Sequence, residues 1–151
     1  MLRRRRRLRL LGLVATATSV QVLIDADNIA PARLRVLLDA LVELAPAAAI
    51  TTAGRAAALE RTTWPERARQ IVAAGWQRAD LALAEVYRRD GDPLVLASGD
   101  GDFGLLASGH PGPVLVVSGA PSYQLLRGAT VVDPALEGPQ RLREWLRSVS
   151  D

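Results

Sequence analysis

The chain has 151 residues, enough for one domain with a single hydrophobic core, and 49% of them are hydrophobic. It has no cysteine and one histidine, His110, which excludes disulfides, zinc fingers, iron–sulfur clusters, thiol nucleophiles and histidine-rich metal sites. Any metal must therefore be held by oxygen ligands, which Mg²⁺ and Mn²⁺ favour. All 19 basic residues are arginine, so mechanisms that need a lysine are excluded.

The net positive charge of the chain comes from its N-terminal segment. Six arginines lie within the first nine residues, and removing them from the formal charge of +3 leaves −3, so the body is mildly acidic. The apolar run over residues 8–14 is interrupted by Arg9 and is too short to span a bilayer. With the Ala15-Thr16-Ala17 triplet it leaves a secretion signal as an alternative. We expect instead a disordered arm over residues 1–19, on a cytoplasmic protein that has no membrane contact.

Residue patterns along the body predict alternating strands and helices. Continuous apolar runs indicate buried strands, and leucines spaced by three and four residues indicate helices. Thr63 and Glu66, with Pro65 between them, resemble a capping box at a helix start. In chain order we predict a strand over 20–24, a helix over 31–44, a strand over 47–52, helices over 63–74 and 79–89, a strand over 94–97, a short helix over 102–107, a strand over 114–117, a weak helix over 122–126, a strand over 130–132 and a helix over 140–148.

This order of elements predicts the fold class. Strands that are apolar throughout and separated by helices are typical of a parallel sheet covered on both faces. We therefore expect a three-layer α/β/α sandwich with a mainly parallel central sheet. The domain should cover residues 20–137, followed by a C-terminal helix within 138–151.

Carboxylates follow two of the strongest predicted strands. The first strand ends at Asp25 within the sequence DADN, and the strand over 94–97 is followed by SGDGDF, which contains Asp100 and Asp102. A third acid, Asp80, begins the helix that precedes the second of these strands. Because parallel strands place their carboxyl ends at one edge of the sheet, these acids should lie together.

Clustered carboxylates repel one another and raise each other's pKa values unless a cation lies between them. A divalent cation removes that conflict and provides a Lewis acid for a phosphate. We therefore predict that Asp25, Asp80, Asp100 and Asp102 converge within about 8 Å on a site for Mg²⁺ or Mn²⁺.

Three segments carry a family resemblance: VLIDADNIAP, RADLALA and LVLASGDGDFGLL. In this order and spacing they resemble the NYN branch of the PIN-like nucleases, the LabA-like group, over residues 20–119. The resemblance implies a ribonuclease that hydrolyses RNA phosphodiesters with a metal-activated water, leaving 5′-phosphate and 3′-hydroxyl ends. It also implies that Asp25 and Asp100 hold the metal directly, that Asp80 and Asp102 hold it or its waters, and that Asn28 orients the substrate or a ligand.

Other residues are candidates for substrate contacts. Ser98 can hydrogen-bond a phosphate or a metal-bound water, and Arg55 follows a strand and can face substrate. Arg78 lies where the family usually has a lysine, and its guanidinium can still hold a phosphate. Asp27 lies at a position where the family accepts several residues, so it ranks lower. The expected partner is single-stranded RNA, and the sequence leaves homo-oligomer formation open.

Each acidic segment also has a purely structural interpretation. Asp27 and Asn28 suit the turn before a helix, Asp80 suits a helix N-cap, and the DGD sequence suits a loop. Their joint placement at one predicted sheet edge favours function. Two other functions stay open: a non-catalytic RNA-binding or regulatory module that retains the acids, and a haloacid-dehalogenase-like phosphatase with Asp25 as nucleophile. The phosphatase normally needs a lysine, and here Asn28 replaces its expected Gly-Thr.

Overall fold

A computed structural model of the protein describes residues 19–75, 78–122 and 128–150, together with the backbone of residues 7–8 and 15–16. Strands β1 (Arg7–Leu8) and β2 (Ala15–Thr16) pair antiparallel in a short ladder. The rest of the N-terminal arm lies outside the described residues, so its disorder stays a prediction. The predicted helix over 122–126 also lies outside them, apart from Ser122.

Six parallel strands form the central sheet. They are β3 (Gln21–Asp25), β4 (Ala49–Gly54), β5 (Arg69–Val72), β6 (Leu94–Ala97), β7 (Val114–Val117) and β8 (Thr130–Val132). Their order is β5-β4-β3-β6-β7-β8, and every neighbouring pair is parallel. The predicted parallel sheet is confirmed, and so is the adjacency of the strands that end at Asp25 and just before Ser98.

Helices cover both faces of the sheet. They are α1 (Pro31–Leu44), α2 (Ala56–Glu60), α3 (Arg78–Val86), α4 (Gly104–Gly109), α5 (Pro134–Glu137) and α6 (Gln140–Ser150). Leucines of α1 and α6 pack on one face, and Leu83 of α3 packs with Ala107 of α4 on the other. This is the predicted three-layer sandwich. Within the part of the chain that the structure describes, none of the helices has the length and apolarity that crossing a membrane requires.

Strand alternation determines which layer each strand residue faces. In β3, Val22 and Ile24 pack in the layer of α1 and α6, whereas Leu23 packs in the layer of α3 and α4. Side chains alternate along a strand, so Asp25 continues the row of Leu23 and points toward the α3 layer. Ser98 continues the row of Leu96 in β6 in the same way. The pleat thus directs the polar residues at both strand ends toward one helix layer.

The predicted helix over 63–74 is wrong. Residues 66–67 form a turn, and the edge strand β5 follows, pairing with β4. Pairing with β4 satisfies the backbone groups on one side of this segment, and β-branched Ile71 and Val72 suit a strand, so the sheet overrides the local helix signal. The indole of Trp64 donates to the backbone oxygen of Leu59 at 2.8 Å, which fixes the irregular chain before the turn.

Other boundaries differ less. The strand predicted over 47–52 is β4, which lies two residues further along the chain, and the helix predicted over 79–89 is α3, which ends at Val86. The short helix predicted over 102–107 is a 3₁₀ turn, Gly101–Phe103, followed by α4. The short helices α2 and α5 were not predicted, because neither contains enough residues to show a helical period.

Candidate metal centre

Asp25 is buried at the carboxyl end of the central strand. Its side chain has 0% exposure, and one carboxylate oxygen, Oδ2, accepts two hydrogen bonds. Asn28 Nδ2 donates to it at 2.6 Å, and Ser98 Oγ donates at 3.0 Å. The 3₁₀ turn Ala26–Asn28 brings Asn28 back over the strand end, and the parallel pairing of β3 with β6 places Ser98 alongside. The orientation of the carboxylate is therefore fixed by both neighbours.

The other oxygen of Asp25 is unsatisfied. Oδ1 is buried and has no hydrogen-bond partner among the described residues. A buried carboxylate oxygen without a partner is costly, because it loses hydration without compensation. Burial raises the pKa of Asp25, outweighing the two hydrogen bonds that lower it, and the charges of Asp27 and Asp100 raise it further.

Two further carboxylates reach Asp25. Asp80 comes from the first turn of α3 and Asp100 from the loop after β6, and each offers an oxygen to the group. One oxygen from each of the three acids lies within 4.8 Å of the others. We call these three residues the acidic cluster. Asp102, the fourth predicted ligand, is not a member of this group, although it lines the same cavity of about 360 Å³.

The acidic cluster perturbs its own titration. The pKa of Asp80 is raised from 3.8 to about 7, mainly by burial and then by the charges of Asp100 and Asp25. A hydrogen bond between protonated Asp80 and Asp100 contributes in the same direction, and so does the charge of Asp102. Without a cation, one acid of the cluster therefore retains its proton close to neutral pH.

The loop after β6 is shaped by its own side chains. The backbone amide of Asp100 donates to Ser98 Oγ at 3.1 Å, and the amide of Asp102 donates to Asp100 Oδ1 at 3.0 Å. Ser98 thus links two members of the acidic cluster, since the same hydroxyl donates to Asp25. Gly99 has no room for a side chain, because a Cβ would lie 2.8 Å from the carbonyl oxygen of Ala120.

The remaining predicted site residues lie around this cavity or beside it. Asn28, Asp27 and Arg55 line it. The carboxylate of Asp27 accepts a hydrogen bond from the backbone amide of Arg55 at 3.1 Å, so it ties β3 to the loop after β4. Arg78 is exposed at the start of α3, where its side chain packs near Gly75 rather than lining the cavity.

The donor set fits a hard divalent cation. The acidic cluster offers carboxylate oxygens alone, which Mg²⁺ and Mn²⁺ accept. A cation in the cluster would give a partner to Asp25 Oδ1, which has none among the described residues, and it would lower the raised pKa of Asp80. The described residues thus form an oxygen-only candidate site at the carboxyl edge of a parallel sheet, where ligands bind in folds of this kind.

A second cavity, of about 450 Å³, adjoins the acidic one and was not predicted. Asn28 and Asp100 line both cavities, and Arg33 and Gly119 line the second, which we call the arginine cavity. Arg33 forms a bidentate ion pair with Asp133, from Nε to Oδ1 at 2.8 Å and from Nη2 to Oδ2 at 3.1 Å. These partners are 100 positions apart, so spacing gave no signal.

One signal for the second cavity was nevertheless present. Ser118 and Gly119 follow the buried strand β7 just as Ser98 and Gly99 follow β6. The rule that ligands bind beyond the carboxyl ends of parallel strands applies to both loops.

Comparison of the chain with models of known protein families, with curated proteins and with solved structures gives no match. The resemblance to NYN nucleases therefore stays a prediction that rests on the three motifs.

Proposed function

We propose that this protein is a metal-dependent ribonuclease that hydrolyses phosphodiester bonds of single-stranded RNA, using Mg²⁺ or Mn²⁺ held by the acidic cluster. The observation that supports it most is the state of Asp25. Its carboxylate is fully buried and oriented by Asn28 and Ser98, yet its Oδ1 has no partner among the described residues. A firmly held acid with one oxygen that lacks a partner among the described residues supports a cation at this position.

The residues of the site have two kinds of role, binding the cation and orienting its ligands. Asp25 Oδ1, Asp80 and Asp100 would hold the cation. When bound, a divalent cation supplies a Lewis acid for a phosphoryl oxygen and lowers the pKa of water. Asn28 and Ser98 orient Asp25, and Ser98 also positions the backbone of Asp100.

Asp102 and Arg55 have roles at the rim. Asp102 is exposed beside the cluster and lines its cavity, so it would hold water molecules around the cation rather than the cation itself. Arg55 lines the same cavity from the neighbouring strand end, and its guanidinium would hold a phosphate oxygen.

The test is cleavage of end-labelled single-stranded RNA by purified protein in Mn²⁺, in Mg²⁺ and in EDTA. We expect cleavage with either metal, none in EDTA, and products with 5′-phosphate and 3′-hydroxyl ends. Asp25→Asn keeps the size of the side chain and should lower the rate by more than about 100-fold, beyond what loss of an outer partner costs. Asp39→Asn is the matched control, because it removes the same negative charge from an exposed position on α1. This variant should cleave RNA like the parent.

Other outcomes would favour the alternative functions. Tight RNA binding without cleavage in either metal would favour the non-catalytic module. Release of phosphate from a phosphomonoester, with trapping of a phosphorylated Asp25, would favour the phosphatase. Cleavage that persists in EDTA or in Asp25→Asn would refute the proposed metal site.

A further inference from the structure

The arginine cavity has a guanidinium in its wall, and an ion pair orients that guanidinium. Arg33 gives two of its five N–H donors to Asp133, which leaves three outside this ion pair. Asp133 is itself fixed as the N-cap of α5, because it accepts a hydrogen bond from the amide of Ala135 at 3.1 Å. A guanidinium with a fixed plane and remaining donors is suited to bind phosphate oxygens in pairs.

Gly119 is fitted to this arginine. A Cβ at position 119 would overlap Nη2 and Cζ of Arg33, so a side chain there would require the guanidinium, the far end of a flexible side chain, to move. Glycine at position 119 thus lets the loop after β7 lie against the guanidinium in its observed position. The contact brings the guanidinium to the carboxyl edge of the sheet, where the acidic cluster also lies.

The N-terminus of α1 adds to the positive character of this cavity. Ile29 and Ala30 line it, directly before the first residue of this 14-residue helix. Pro31 has no N–H and the amide of Arg33 donates to the carbonyl oxygen of Ala30 at 3.0 Å, so the helix end acts on the cavity through its dipole more than through free amides. The positive end of a helix dipole favours a bound anion in that position.

We propose that the arginine cavity binds a phosphate of the RNA strand next to the phosphodiester that is cleaved at the acidic cluster, with Arg33 as its main contact. This subsite rests on the proposed ribonuclease function and deepens it. The two cavities share Asn28 and Asp100, so a strand that presents one phosphate to the cluster can extend directly into the second cavity. The volume of about 450 Å³ lies within the range of small-molecule sites.

The strand order gives the line along which the RNA would cross the edge of the sheet. Arg55 follows β4, the acidic cluster lies at the ends of β3 and β6, and Gly119 follows β7. These four strands are neighbours in the sheet, so the path from β4 to β7 crosses three strand spacings, about 14 Å at ~4.8 Å each. At about 3.4 Å of rise per nucleotide in a stacked strand, this length takes roughly four nucleotides. Substrate phosphates would thus meet an arginine on each side of the cleaved bond.

The first experiment measures RNA binding in EDTA as a function of salt, with the full-length chain. Arg33→Ala should weaken binding about tenfold and reduce the slope of log affinity against log salt by less than about one, because Asp133 already balances part of the Arg33 charge. Gly119→Ala should do the same, because it displaces the guanidinium without removing it. Arg35→Ala is the control, since this exposed arginine points away from Arg33 around α1, and it should bind like the parent. Thermal unfolding of each variant checks folding, and Arg33→Lys is used if Arg33→Ala does not fold.

The second experiment locates the contact. Each phosphate of the RNA is replaced in turn by a neutral methylphosphonate, and binding is measured for the parent and for Arg33→Ala. One replacement should weaken binding to the parent about tenfold and have no further effect on Arg33→Ala, as a coupled pair requires. That replacement should flank the cleaved bond. Independent effects at every position would overturn the subsite.

Failure of the subsite and failure of the proposed function give different results. Cleavage in Mn²⁺ without coupling between Arg33 and any phosphate would remove the subsite and leave the ribonuclease standing. Coupling in the binding experiment without cleavage would keep the phosphate subsite and remove the ribonuclease. Absence of RNA binding by the parent would overturn both.

Discussion

Replacing Asp100 with Asn separates metal binding from structure. Asparagine keeps the size of the side chain and its Oδ1, so the N-cap hydrogen bond from the amide of Asp102 can persist. What is removed is one negative charge from the acidic cluster. We therefore expect Asp100→Asn to be more stable than the parent in EDTA at pH 8, and less able to bind Mn²⁺ or cleave RNA.

The size of the effect follows from the geometry. Two unit charges at the 4.8 Å limit of the cluster repel by about 0.9 kcal/mol in water and about 3.5 kcal/mol at an effective dielectric constant of 20. Asp100 faces both Asp25 and Asp80, but the cluster is only partly buried, so a value toward the lower end applies. We expect a gain of about 1–2 kcal/mol in the free energy of unfolding, or roughly 3–6 °C in Tm for a domain of this size.

The assay is urea and thermal unfolding of the parent, Asp100→Asn and the control Asp39→Asn, each in EDTA and in Mn²⁺. A metal at 100 times its Kd stabilises the parent by about 2.7 kcal/mol, and tenfold weaker binding lowers that gain by about 1.4 kcal/mol. The stability advantage of Asp100→Asn over the parent should therefore shrink or reverse when Mn²⁺ is added. The stability of Asp39→Asn should change with Mn²⁺ as that of the parent does. Equal stabilisation of all three proteins by Mn²⁺, or no gain in EDTA, would refute the reasoning.

Three further predictions concern Ser98, Asp80 and the N-terminal arm. Ser98→Ala removes the hydroxyl that connects Asp25 with the amide of Asp100, and it should weaken Mn²⁺ affinity by about 10–100-fold; calorimetric titration with an unchanged Kd would contradict this. The pKa of Asp80 is raised to about 7, so the folded state favours the protonated carboxyl group. The contribution of Asp80 to the stability of the folded state is therefore largest near pH 4 and falls as pH rises through 7. In EDTA the parent should thus lose stability relative to Asp80→Asn between pH 4 and pH 8. The full rise in pKa corresponds to at most about 4 kcal/mol of stability, which solvent screening reduces to about 1–2 kcal/mol. If urea unfolding shows the same difference in stability between the parent and Asp80→Asn at every pH, the acidic cluster does not perturb Asp80 as described. Deleting residues 1–18 should leave Tm within a few degrees, because β3 begins at Gln21, and should reduce the salt dependence of RNA binding; unfolding would place the domain boundary elsewhere.

The site-bearing part of the fold was predictable because its signals are local and strong. The strands before Asp25 and Ser98 are apolar throughout, which indicates a parallel sheet buried on both faces. Parallel pairing then places their carboxyl ends together whatever the helices between them do. Strand type thus placed Asp25 and Asp100 at the same sheet edge, and the adjacency of β3 and β6 in the strand order brings them together. For Asp80 to join them, α3 must also cover the face of the sheet toward which Asp25 points. The alternation of side chains along β3 directs Asp25 toward that face.

The failures come from interactions that sequence spacing does not encode. The segment over 63–74 has a capping pattern, yet it becomes the edge strand β5 because an open edge of β4 is available to it. The ion pair between Arg33 and Asp133 joins residues 100 positions apart, and the fit of Gly119 against it depends on where two loops meet. Such contacts are determined by the packed layers, so they are visible only once the layers are in place.

The charge distribution gives a physical reason for two arginines beside an acidic centre. Outside its first nine residues the chain has a formal charge of −3, which opposes the approach of RNA at long range. Net charge does not determine the local field, however, and Arg55 and Arg33 line the two cavities at the sheet edge on either side of the shared residue Asp100. Arg33 is matched by Asp133, so its value lies in oriented donors rather than in added charge. The long-range attraction would then come from the N-terminal arginines, and removing them should slow RNA association more than it speeds dissociation.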